Sequence, residues 1–145
     1  MKDKIIIAFL LFMTSLFLHA QEKVQVKALP KEGTEFVAKY FKDQKVKTIF
    51  KVMDDRKPKY EVTLENGTEI EMNDRGRWTE IEGKNNAVPT GFLKEATTNY
   101  LKANYATQRV LEIEKGPRFV FVELENGIKL QFEAEGKFNR IYTED

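Results

Sequence analysis

The phrase Leu64-Glu65-Asn66-Gly67 returns sixty positions later as Leu124-Glu125-Asn126-Gly127. The same offset pairs Tyr40 with Tyr100, Lys42 with Lys102, Val62 with Val122, Ile70 with Leu130, Met72 with Phe132, Gly76 with Gly136, Trp78 with Phe138 and Ile81 with Ile141. Matches at both apolar and turn positions predict that one supersecondary unit occurs twice. The fold has to accommodate two such units.

Each unit reads as a helix followed by four strands. From Leu29 to Lys45 the chain opens with Pro30 and spaces Phe36, Val37, Tyr40 and Phe41 as one helical stripe. The counterpart opens with Pro89 and spaces Phe92, Leu93, Ala96, Tyr100 and Leu101. Proline in a first helical turn sacrifices no hydrogen bond, so both segments are predicted to be amphipathic helices with core-facing aromatics. The strand-like runs are Val46 to Met53, Lys59 to Glu65, Thr68 to Asn73 and Arg77 to Glu82. In the second unit they are Arg109 to Lys115, Arg118 to Leu124, Ile128 to Glu133 and Lys137 to Tyr142. Gly, Pro and Asn-Gly punctuation between them predicts antiparallel hairpins.

The Asn-Gly turns also specify register. A two-residue turn at Asn66-Gly67 sets Val62 against Glu71, mixing apolar and charged side chains on one face. A three-residue loop with Gly67 left-handed pairs Leu64 with Thr68, Val62 with Ile70 and Tyr60 with Met72, which gathers the apolar residues on one side. By the same logic Val122 faces Leu130 and Val120 faces Phe132, while Gly76 and Gly136 align Met72 with Trp78 and Phe132 with Phe138. Ile81 and Ile141 then fall on the wrong face unless a bulge, or burial between the units, accommodates them. The expected fold class is α+β, a tandem repeat of a helix plus a four-stranded antiparallel sheet. The units span residues 21–83 and 84–145, joined through Gly83-Lys84-Asn85-Asn86-Ala87 into one concave eight-stranded sheet with both helices on one side.

Residues 1–20 read as a secretory signal peptide: Lys2 and Lys4, an apolar run from Ile5 to Leu18, and a small residue, Ala20, at the expected cleavage point. The run is short for a membrane span, so no membrane insertion is expected after processing, and the destination is the periplasm or the exterior. Taking Lys2, Lys4 and Asp3 from the 24 basic and 23 acidic residues leaves 22 of each. This balance lacks the basic stripe that nucleic acid binding needs. The only His (His19) and the only Ser (Ser15) lie in the leader, and the chain has no Cys. Serine, cysteine and histidine catalytic arrangements, Cys/His zinc sites and disulfides are therefore excluded downstream of it, and no cofactor is expected.

The leader, the two Pro-led helices, and the hairpins with Glu65-Asn66-Gly67 and Asp74-Arg75-Gly76-Arg77-Trp78 and their second copies resemble the PepSY-like, beta-lactamase-inhibitor-like proteins of the bacterial envelope. The resemblance implies a helix-backed concave sheet that binds or restrains another envelope protein. The inhibitors that give the group its name carry a disulfide in each repeat, which this chain cannot form.

The alternation puts Lys59, Glu61, Thr63, Glu69 and Glu71 on the open face of the first unit. In the second, Phe119, Phe121, Glu123, Lys129 and Gln131 take that face. Two aromatics turned from the core mark a candidate contact site for a protein or peptide, unless a terminus or the neighbouring unit covers them. A small molecule or envelope polymer held in the concavity is the alternative. Glu69 and Glu71 share a side as paired carboxylates must for glycoside hydrolysis, but no apolar surroundings are evident that would raise either pKa. Asn73-Asp74 and Asp54-Asp55 lack the progression of a calcium loop and are expected to serve as turn residues.

Overall fold

The computed structural model describes residues 21–142, so the expected leader lies outside the described residues. The elements are β1 (Gln21–Val24), a 3-10 turn (Val26–Ala28), α1 (Lys31–Tyr40), β2 (Val46–Asp54), β3 (Lys57–Leu64), β4 (Glu69–Met72) and β5 (Trp78–Glu82). After these come α2 (Glu95–Asn104), β6 (Val110–Lys115), β7 (Phe119–Leu124), β8 (Lys129–Glu133) and β9 (Phe138–Tyr142). All nine strands form one open antiparallel sheet in chain order. The expectation of eight strands missed β1, a short polar segment that pairs Val24 with Ile49 on the free edge of β2.

The turns set the register as the alternation requires. Gly67 and Gly127 have φ of +92° and +82°. The Leu64 and Leu124 amides donate to the Thr68 and Ile128 carbonyls at 2.8 and 2.9 Å. Asn66 Oδ1 accepts from the Thr68 amide and Asn126 Oδ1 from the Ile128 amide, which closes each loop with an Asx turn. Tyr60 consequently faces Met72, Val62 faces Ile70, Val120 faces Phe132 and Val122 faces Leu130.

Bulges resolve the misfit of the last strands. Met72 pairs with Trp78 but Glu71 with Glu80, and Phe132 pairs with Phe138 but Gln131 with Arg140. One extra residue on each bulged strand returns Ile81 and Ile141 to the helix-covered face. A row of apolar residues then crosses the whole sheet: Val24, Ile49, Val62, Ile70, Ile81, Ile113, Val122, Leu130 and Ile141. Val37 and Phe41 at α1 and Leu101 of α2 pack with this row in one continuous core, so both helices cover the same face.

α1 begins at Pro30, its N-cap, and buries Gly33 and Val37; Glu32 in its first turn and Lys39 in its last complement the helix dipole. The second helix departs from expectation. It starts at Glu95 with Lys94 as N-cap, and Ala96, expected on the buried stripe, is exposed, whereas Thr97 and Leu101 are buried. Residues 89–94 form a turn instead, with the Leu93 amide donating to the Thr90 carbonyl. Phe92 leaves the helical path to contact Phe36, Tyr40 and Trp78, its centroid 5.1, 5.4 and 5.1 Å from theirs. That aromatic packing outweighs continuation of a helix through Gly91. The two helices, Lys31–Tyr40 and Glu95–Asn104, thus begin sixty-four positions apart, so Tyr40 and Tyr100 stand at different places along them. The β2–β3 hairpin, turning at Asp55 and Arg56 with φ of +43° and +69°, is four residues longer than β6–β7 and restores the offset of sixty.

Candidate functional site

The face away from the helices carries the candidate contact residues, and strand alternation alone decides which they are. One row runs Phe50, Glu61, Glu71, Glu80, Glu114, Phe121, Gln131 and Arg140. Its neighbour runs Thr63, Glu69, Glu82, Glu112, Glu123, Lys129 and Tyr142. Eight glutamates thus lie side by side across β3 to β7. Like charges opposite one another on adjacent strands repel.

Three lysines relieve part of that repulsion. Lys59 Nζ lies 3.7 Å from Glu61 and 3.3 Å from Glu71. Lys84 Nζ lies 3.1 Å from Glu69 and 2.7 Å from Glu82. Lys129 Nζ lies 3.8 Å from Glu112 and 3.5 Å from Glu114. Burial alone lowers Lys59 and Lys129, but the surrounding carboxylates outweigh it and hold both ammonium groups above their usual pKa. Glu80 has no ion-pair partner among the described residues. Burial, followed by the charges of Glu71, Glu112, Glu114 and Glu82, raises its pKa. Burial also raises Glu112, with Lys129 opposing.

Of the residues expected to form the contact site, Phe119 and Phe121 do turn from the core. They are half-buried, with centroids 6.5 Å apart, and Phe121 also packs edge-on against Tyr142 at 5.0 Å. Glu123 pairs with Lys129 across β7 and β8, and Lys129 Nζ stands 5.8 Å above the Phe121 ring. Gln131 departs from expectation: it is only 3 % exposed and accepts a 2.8 Å hydrogen bond from Arg140 Nε. Gln131 is therefore buried beside the patch and not part of its exposed surface. The structure therefore brings Phe119, Phe121, Glu123 and Lys129 together at the surface, with Tyr142 added.

Sequence reasoning missed Phe50 and the glutamates of β5 and β6. Phe50 belongs to the open face because Ile49 beside it pairs with Val62. Glu80, Glu82, Glu112 and Glu114 flank the core residues Ile81 and Ile113, so the alternation contained the signal. What it lacked was the pairing of β5 with β6 across the boundary between the halves. Glu69 and Glu71 share a side as expected, but each is engaged by a lysine. Asn73 serves its turn, its Oδ1 accepting from the Arg75 and Arg77 amides. Among the described residues no cluster of three acidic side chains is arranged to hold a metal ion.

An antiparallel sheet backed on one face by two described helices, with no described helix on the other, defines a class of small α+β modules. Residues 58–140 match the family described as "Putative beta-lactamase-inhibitor-like, PepSY-like", and the chain belongs to that family. Three solved structures are similar to it, each with a TM-score of 0.78. One, from Bacteroides vulgatus, is titled a "putative periplasmic protein of unknown function"; it is 32 % identical, covering 86 % of this chain and all of its own. A second from the same species, of the DUF2874 family, is 29 % identical, covering 86 % of this chain and 98 % of its own. The third, a "putative calcium-regulated periplasmic protein" from Bacteroides thetaiotaomicron, is 28 % identical, covering 85 % and 97 %. None of the curated proteins compared with the chain is similar to it. No described helix is long and apolar enough to cross a membrane.

Proposed function

We propose that this protein is a non-catalytic periplasmic binding module that engages a protein or peptide segment through the open face of its sheet. The observation that carries this reading is the aromatic group of Phe119, Phe121 and Tyr142 on a face that no described helix covers, next to a field of glutamates. Half-buried aromatics ringed by charge are the usual anchors of protein contacts. The uneven neutralisation of the glutamates favours a partner that brings its own cations. The periplasmic assignment draws on the expected leader and on the similar proteins, which are described as periplasmic. We read residues 21–83 and 84–145 as two copies of one unit, supported by the equivalent Asn-Gly turns, bulges and rows.

The test is crosslinking in the native envelope, comparing the wild-type chain with one in which Phe119 and Phe121 are both replaced by Ser. The expected result is a discrete adduct that the double variant loses while its thermal unfolding stays cooperative and close to wild type. An unfolded double variant would instead make the two rings part of the core, and an unchanged adduct would move the contact elsewhere.

A further inference from the structure

On the helix side, at the seam between the two halves, the sheet opens into a crevice of about 310 Å³. β5 and β6 pair only over Glu80 to Glu82 and Glu112 to Glu114, so Trp78 and the β6–β7 turn stand apart and leave space between them. Trp78, Phe92, Leu93 and Val120 give it an apolar floor continuous with the core. Lys94, Lys115 and Arg118 stand around it, with Glu133 the carboxylate on the lining. The volume falls at the small end of the range for small-molecule sites, roughly 300–1,000 Å³.

The charges here contrast with those of the open face. There Lys59, Lys84 and Lys129 each touch two carboxylates. Among the described residues, Lys94, Lys115 and Arg118 form no ion pair. Lys115 Nζ instead sits 4.0 Å over the Trp78 ring, a cation–π contact that holds the ammonium beside the apolar floor. Burial, then the charge of Arg77, lowers its pKa. Among the described residues, an ammonium so placed has no counter-anion.

We propose that the crevice binds a small amphipathic carboxylate, its apolar body against Trp78 and Phe92 and its anionic head between Lys115 and Arg118. This site opens on the helix side of the sheet and shares Phe119 with the proposed protein contact, whereas Phe121 belongs to the open face alone. The chain contains a single tryptophan, so Trp78 emission reports on the crevice directly.

The experiment titrates the purified protein with decanoate and decyltrimethylammonium below their micelle concentrations and decanol below its solubility limit, following Trp78 fluorescence and confirming by calorimetry. Decanoate should give a saturable change and bind roughly tenfold or more tighter than decanol, the scale of a charge-assisted contact. The cationic probe should not compete. Arg118→Gln and Lys115→Met should each remove most of the preference for decanoate over decanol. Arg118 is exposed, so its variant remains informative even if Lys115→Met unfolds. Phe121→Ser should leave decanoate binding unchanged, which separates this site from the open face. The proposal is overturned by the absence of saturable decanoate binding, by equal responses to all three probes, or by an unaltered preference in Arg118→Gln.

Discussion

The sheet segments β3–β5 and β7–β9 share a register but not their surroundings, and residues at matching positions do different work in each. Ile81 and Ile141 occupy matching places after matching bulges, yet Ile81 is fully buried and Ile141 is 52 % exposed. The difference is position in the sheet: β5 is flanked by β4 and β6, whereas β9 is an edge. The helix-to-turn joints differ as well. In the first half Gly33 of α1 lies directly on Gly76, and a Cβ on Gly76, whose φ is +78°, would come 2.6 Å from the Gly33 amide nitrogen. In the second half Thr97 takes the place of Gly33, and its hydroxyl donates a 3.0 Å hydrogen bond to the Gly136 carbonyl. One joint relies on close backbone approach, the other on a buried polar contact.

The isoleucines offer the widest gap. Ile81→Ala should destabilise by about 4 kcal/mol, as expected for deleting a fully buried aliphatic side chain, whereas Ile141→Ala should stay within about 0.5 kcal/mol. Chemical denaturation of the two variants measures the difference directly. Similar losses at both sites would mean that the edge at β9 is covered in solution.

At the joints, Gly33→Thr would install the second half's solution in the first. The new Cβ would lie 2.7 Å from Met72 Sδ and 3.2 Å from the Gly76 carbonyl oxygen. Overpacking of this kind should cost about 3 kcal/mol. Thr97→Val keeps the shape and removes the donor, leaving the Gly136 carbonyl without that bond, and should cost about 1–2 kcal/mol. Thr97→Ser should recover most of that loss, and failure to recover it would assign the role of Thr97 to its methyl group.

How much of this was legible in the sequence depends on the range of the contact that decides each feature. Asn66-Gly67 and Asn126-Gly127 fix hairpins between adjacent strands, so the register across β3–β4 and β7–β8 followed from alternation alone. Phe119 and Phe121 could be assigned to the open face for the same reason. The start of α2 was misread because Pro89 satisfies the local rule for a helix start, while the packing of Phe92 on Trp78 and Phe36 is tertiary. β1 escaped notice because Gln21-Glu22-Lys23-Val24 carries one apolar residue and becomes a strand only by joining β2. The glutamate field went unseen because half of it is brought together by β5 and β6, which are joined by a long connection containing α2 and not by a turn. Gln131 lay on the correct face, but its burial and its bond to Arg140 are side-chain arrangements that alternation does not encode.

The smallest expected effect tests the electrostatic asymmetry of the open face. Glu80 and Lys59 lie in the same field of carboxylates, but Lys59 has two partners and Glu80 none among the described residues. The folded protein raises the pKa of Glu80 above the ordinary carboxylate value, so it holds the Glu80 proton more tightly than the unfolded chain does. As pH rises from the unfolded carboxylate pKa, about 4.3, through the higher folded value, the native state binds more protons than the unfolded state, and Glu80 withdraws stability. Below that window its contribution is neutral. Glu80→Gln should therefore raise the melting temperature at neutral pH, and the gain should shrink towards zero as the solution is acidified past the carboxylate range. Lys59 has the opposite relation to its surroundings: its raised folded pKa gives stability that persists below the unfolded lysine value and disappears as pH rises through the folded one. Lys59→Met should accordingly destabilise at neutral pH. Because the two substitutions change net charge by one unit in opposite directions, added salt should weaken both effects. A stabilisation by Glu80→Gln that persists undiminished at acid pH would show that packing of the amide, and not relief of the burial of a carboxylate and of its repulsion by Glu71, Glu112, Glu114 and Glu82, is responsible.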